Sequence, residues 1–155
     1  MAIDIGIETK ARKKIVKALE QVLADTYGLY QKTHGYHWNV EGPMFNTLHL
    51  MFETQYNEVW LALDLIAERI RSLGEYAPFG VQMGAKSDMP GDTGVPDAQT
   101  MIANLVSGNE LVVRSARSAL KAAEDAGDQA TADLMTQRVA VGEKTAWMLR
   151  ALIAK

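Results

Sequence analysis

Apolar residues recur along this chain at helical spacing in four stretches, separated by glycine and proline. The first runs from about Thr9 to His34, where Ile15, Val16, Leu19, Val22, Leu23, Thr26 and Tyr30 step by threes and fours along one face. The second opens after Gly42-Pro43, with proline in a first-turn position. Phe45, Leu48, Phe52, Tyr56, Val59, Leu63, Ile66, Ala67 and Ile70 carry its stripe toward Gly74. The third begins near Asp97, a suitable N-cap, and buries Met101, Ile102, Leu105, Val106, Val112, Val113, Ala116 and Leu120 before Gly127. The fourth opens at Asp128 and repeats Met135, Val139, Gly142, Ala146, Leu149 and Ile153 in alternating steps of four and three, a bundle seam.

Residues 74–96 break the pattern. Five glycines and three prolines fall there, which predicts a long connection with room for a short helical turn. Gly127 alone separates the last two helices, so they are expected as antiparallel neighbours, while the long connection joins helices that run the same way. Two hairpins joined by one crossover make an all-α, ferritin-like four-helix bundle. The chain's 155 residues suit one domain, with residues 1–8 as an N-terminal tail.

Composition then narrows the chemistry. The absence of cysteine excludes disulfides, thiolate catalysis and thiolate metal sites. No apolar run approaches the roughly 20 residues of a membrane span. The first eight residues carry acids and no basic segment, unlike a secretion signal, so a cytoplasmic location is expected. The net charge of -3 gives the whole chain no general attraction to nucleic acid.

All three histidines, His34, His37 and His49, lie within sixteen consecutive residues. On the second helix His49 and Glu53 are four apart, as are Asp64 and Glu68. At roughly 100° per residue the four share an arc of about 100°, among apolar neighbours such as Phe45, Phe52, Trp60 and Leu63. Carboxylates on such a face are costly to bury unless they bind something. The plain alternative is solvated pairs, or salt bridges to Arg69 and Arg71.

One helix cannot close one site from both pairs. The offset from His49 to Asp64 spans roughly 22 Å of helix, whereas paired metals sit about 3.5–4 Å apart. The third and fourth helices offer no histidine. Two copies of the second helix, antiparallel across a two-fold axis, would set the His49/Glu53 end of one against the Asp64/Glu68 end of the other and form two equal sites. Imidazole and carboxylate ligands with open positions suit Fe(II).

At these residues the chain resembles the Dps family, the mini-ferritins. The resemblance lies in Lys32-Thr33-His34-Gly35-Tyr36-His37-Trp38-Asn39-Val40-Glu41-Gly42, in Leu48-His49 through Asp64-Leu65-Ile66-Ala67-Glu68-Arg69-Ile70, and in Glu143-Lys144-Thr145-Ala146-Trp147-Met148-Leu149-Arg150. It extends over nearly the whole chain. It implies an intersubunit iron site, a di-iron centre being one form, with His37 and His49 from one subunit. Glu53, Asp64 and Glu68 would line it with residues of the partner, Glu53 standing where the family often has Asp. It further implies oxidation of Fe(II) by hydrogen peroxide, or more slowly by O2, and a ferric mineral stored in a homododecameric shell, which protects against oxidative stress. Trp38 and Trp60 would lie near the site, as radical quenchers or as ordinary packing aromatics. The acidic group Glu124, Asp125, Asp128 and Asp133 falls in the region that lines three-fold pores in this family, with Asp128 and Asp133 as the pore candidates and helix capping as the alternative.

Lys10, Arg12, Lys13, Lys14 and Lys17 give the first helix a basic start. The residues before Thr9 contain no lysine or arginine, so a lysine-rich DNA-binding tail is missing from the pattern. Three functions follow from this reading. The first is a mini-ferritin ferroxidase. The second is a nucleoid-protecting, DNA-binding shell protein with little iron chemistry. The third is a helical interaction protein with structural histidines.

Overall fold

The computed structural model describes residues 3–154 and is all-helical over them: α1 (Thr9–Asn39), α2 (Phe45–Ser72), α3 (Val81–Ala85), α4 (Ala98–Asp125) and α5 (Gln129–Ile153). The four long helices form the bundle, and α3 is the short turn within the crossover. Asp97 caps α4 by accepting from the Thr100 N–H at 2.8 Å. Asp128 caps α5 through the Thr131 N–H at 3.0 Å. Gly127 makes the tight turn between α4 and α5 at φ +69°, a conformation other residues adopt only at a cost.

Helix α1 continues past His34 to Asn39. Gly35 weakens a helix by only about 1 kcal/mol, and the extra turn buries Tyr36 and His37. The helix stops where Val40 turns extended and donates its N–H to the Tyr36 carbonyl at 2.9 Å, just before Gly42-Pro43. This extension carries His37 on a rigid helical turn.

Long-range contacts fix the directions. Arg12 near the start of α1 reaches the Leu73 carbonyl at the end of α2, while His37 meets His49 at the other end, so α1 and α2 are antiparallel. Lys14 meets Asp125, and Tyr36 accepts from Asn104, so α1 and α4 are antiparallel and α2 runs parallel to α4. The helices pack in the order α2, α1, α4, α5, and the α2–α5 side of this ring barely closes.

The core forms two clusters. One gathers Leu19, Ile66, Ile70, Ala119 and Met135, and the other Leu48, Phe52, Ile102, Leu105 and Leu149. Burying each large side chain contributes roughly 1.5–3 kcal/mol. Phe45, placed by its spacing on the apolar stripe of α2, is instead exposed and lies flat beside His49.

The crossover is tied to α1 by polar contacts, one of them to a buried carboxyl group. Asp25 is fully buried and accepts from Gln21, Ser87, the Asp88 N–H and Ser115. Asp92 accepts from Tyr36 at 2.9 Å and Lys32 at 2.7 Å. Gly28 lets this segment lie against α1, because a Cβ there would come within 2.7 Å of Met89 and Ser87.

Candidate metal centre

Two peptide carbonyls organise the histidine half of the site. His37 Nδ1 lies 2.8 Å from the His49 carbonyl, and His49 Nδ1 lies 2.8 Å from the His37 carbonyl. A carbonyl oxygen only accepts, so each Nδ1 carries the proton and donates it. Each ring is thereby held in the tautomer whose Nε2 has a free lone pair, as a metal ligand requires. The imidazoles stack with centroids 3.8 Å apart at 17°. The His37 carbonyl lies in the last turn of α1, among the groups without a helical partner, so the His49 bond also closes that helix end.

An aromatic wall backs the pair. Tyr56 meets His37 edge-on with centroids 5.2 Å apart and stacks on His34 at 3.8 Å. His34 accepts or shares a hydrogen bond with the Tyr30 hydroxyl at 3.0 Å and packs on Trp38 at 4.3 Å. It lies inside α1, before the helix ends at Asn39. Burial, and then the neighbouring His37, lower its pKa below the ordinary histidine value of 6.5 and favour the neutral ring. Tyr30 and Tyr56 were missed from the sequence because both fit the apolar stripes of their helices.

The carboxylate half lies on the outer face of α2. Glu53, Asp64 and Glu68 are exposed, as are Phe45, Trp60, Leu61 and Leu65 around them. Among the described residues no salt bridge engages Glu53, Asp64 or Glu68. The arginines that would have neutralised them face elsewhere. Arg69 binds Asp128 through two bonds of 2.8 and 2.9 Å, and Arg71 donates to the Glu75 carbonyl and lies over Tyr76. The face therefore presents unneutralised acids among large exposed apolar side chains, a combination that marks a binding surface.

Within one chain the two halves stay apart. Among the described residues no three histidine or acidic side chains gather closely enough to hold a metal ion. The donor types nonetheless fit iron, because imidazole nitrogen suits Fe(II) and carboxylate oxygen suits both Fe(II) and Fe(III).

The acidic turn departs from the pore expectation at one position. Asp128 is only 3% exposed, and its oxygens are taken by Arg69, the Thr131 N–H and the Thr131 hydroxyl. Burial raises its pKa, but the Thr131 and Arg69 bonds outweigh that and hold it below the ordinary 3.8. Asp128 is thus a helix cap and ion-pair residue, with no free carboxylate to line a channel. Asp133 is exposed and, among the described residues, accepts from Gln137, one turn on. Lys10, Lys13, Lys14 and Lys17 are exposed, whereas Arg12 is buried against Thr9 and Leu73.

Comparison with known proteins agrees with this architecture. The family model for the ferritin-like domain matches residues 16–155. A DNA protection during starvation protein 1 of Deinococcus radiodurans is 33% identical, over 95% of this chain and 72% of the relative. An uncharacterised low temperature-induced protein of Nostoc sp. is 40% identical, over 97% of this chain and 86% of the relative. The crystal structure of a Dps protein from Vibrio cholerae O1, described as a member of a broad superfamily of ferritin-like diiron-carboxylate proteins, matches with a TM-score of 0.93 at 31% identity, covering 99% of this chain and 98% of that one.

Proposed function

The chain belongs to the Dps family of ferritin-like proteins, and on that premise we propose that it is a ferroxidase and iron-storage mini-ferritin whose metal site forms between two subunits. His37 and His49 of one subunit face Asp64 and Glu68 of the other, with Glu53 beside the histidines. The observation that carries this reading is the split donor set: two histidines with free Nε2 atoms at one end of α2, and unneutralised carboxylates on the same helix's exposed face. Stacking that face on a copy of itself would cover Trp60, Leu61 and Leu65 and complete two sites at once.

Iron is the substrate. The carboxylates attract the cation and stabilise the higher charge of Fe(III), while the fixed imidazoles supply neutral ligands without reorganising. Two Fe(II) ions each give one electron to hydrogen peroxide, which takes up two protons and leaves as two water molecules. With O2 as oxidant the same site runs more slowly. The ferric product accumulates as mineral inside a twelve-subunit shell. Removing iron and peroxide together suppresses hydroxyl-radical formation, which gives the activity its protective value.

Fe(II) followed by hydrogen peroxide, added to the assembled protein, tests the reading through ferric absorbance. A His37→Ala/His49→Ala double variant in an intact shell should oxidise iron far more slowly. Equal rates in the two proteins would mean the histidine pair is structural.

Contact with DNA is a second reading, favoured by the four exposed lysines at the start of α1. It predicts a gel shift that weakens steeply with salt and fades when Lys10, Lys13 and Lys17 are changed to glutamine.

A further inference from the structure

The open seam between α2 and α5 leads into a cleft of about 490 Å³ on the side of α2 away from the candidate metal centre. It lies where the two core clusters part, and the residues at that break are polar: Thr26 on α1, Gln55 on α2 and Asn109 on α4. Asn109 donates to the Leu105 carbonyl at 2.8 Å. Thr26 and Gln55 line the cleft, and the Thr26 hydroxyl and Gln55 Oε1 are both buried with no hydrogen-bond partner among the described residues. Thr26 is 3% exposed. Thr33, two turns further along α1 and also in the cleft, shows the usual arrangement, with its hydroxyl bonded to the Leu29 carbonyl at 2.7 Å. A buried polar atom left without a partner costs roughly 1–3 kcal/mol, so two around one space call for an occupant.

We propose that this cleft is a binding site for a small, neutral, phenol-like molecule, with its ring among the apolar side chains and its hydroxyl bonded to Thr26 and Gln55. A single hydroxyl both accepts and donates, so it accepts from the Thr26 hydroxyl and donates to Gln55 Oε1. The walls favour an aromatic body. Met51 on α2 and Met148 on α5 line the cleft with Leu29, Val59 and Val141, and thioethers pack well against ring edges. Water alone suits the space poorly, because it would need two to four polar partners per molecule and most of the lining is apolar. The volume lies in the range of small-molecule sites. At the rim, Arg138 and Glu58 pair through bonds of 2.5 and 2.7 Å and neutralise one another, and the ammonium-bearing Lys144 is exposed to solvent. This site does not depend on the iron reading.

Calorimetric titration of the assembled protein with 4-propylphenol and with propylbenzene tests the proposal. The phenol should bind saturably at one site per subunit, and propylbenzene should bind roughly tenfold more weakly. Gln55→Leu and Thr26→Val should each weaken the phenol roughly threefold to tenfold and leave propylbenzene unchanged. Val141→Trp, which fills the cleft, should abolish binding of both. The proposal is overturned by absence of saturable phenol binding, by equal affinity for the two probes in the unaltered protein, or by full phenol binding to Val141→Trp. The two-probe comparison needs no variant, so misfolding of a substituted chain cannot obscure the answer.

Discussion

His37 and His49 lock one another: each ring donates from Nδ1 to the other residue's backbone carbonyl at 2.8 Å, and each is left with a free Nε2. The relationship separates stability from chemistry. His49→Ala removes a donor to a carbonyl at the end of α1, a loss of roughly 0.5–1.5 kcal/mol, but it also removes a ligand. Urea unfolding should show a small shift in midpoint, while the rate of Fe(II) oxidation should fall at least roughly tenfold, as loss of even an outer partner does.

Arg69 and Asp128 should give stability a defined acid limb. The Asp128 carboxyl is held below its ordinary value of 3.8 in the folded chain, because the bonds from Thr131 and Arg69 outweigh the effect of burial. A depressed folded pKa contributes stability that is complete above the unfolded value and disappears as pH falls through the folded one. Asp128→Asn should therefore destabilise the protein at neutral pH, and the gap to the unaltered protein should narrow below about pH 4. Thermal unfolding followed from pH 7 to pH 3 checks this. A constant gap across the range would assign the effect to lost packing.

Asp25 should hold the crossover in place. Its buried carboxylate collects Gln21, Ser87, Asp88 and Ser115. Asp25→Ala leaves these donors unpaired, at a cost of roughly 2–4 kcal/mol. Limited proteolysis should then cut first between residues 86 and 96.

Gly28→Ala weighs two opposing effects. Alanine improves helix propensity by about 1 kcal/mol. Its Cβ, however, would approach Met89 Cβ and Ser87 Oγ at 2.7 Å, and the crossover must move, at a cost of roughly 1–3 kcal/mol. The expected outcome is a net loss of stability in urea unfolding, and a gain would show that the segment yields freely.

Much of the fold could be read from local periodicity. The seam Met135, Val139, Gly142, Ala146 and Leu149 is buried throughout, and both expected aspartate caps are in place. Periodicity failed where a residue's fate depends on a distant element. Phe45 matches the core spacing of α2 but sits in its first turn, where it stays exposed beside His49. The apolar spacing of α1 was followed only to about His34, yet burial of Tyr36 and His37 carries the helix on to Asn39. Asp25 and Asp92 gave no signal, because the contacts they make between α1 and the crossover join residues about sixty apart in sequence. For the candidate site, residue types and spacing were legible in the histidines and acids. The reciprocal Nδ1 bonds were not, since they need two helices in register.

Subunit complementation tests the shared site most directly. A His37→Ala/His49→Ala chain and an Asp64→Asn/Glu68→Gln chain should each form shells with little Fe(II) oxidation. Unfolded together and co-assembled in equal amounts, half of the two-fold pairs are mixed, and each mixed pair holds one intact site, so about a quarter of the original activity should return. Activity that stays at the level of the separate variants, in shells shown by mass spectrometry to contain both chains, would contradict a site built across two subunits.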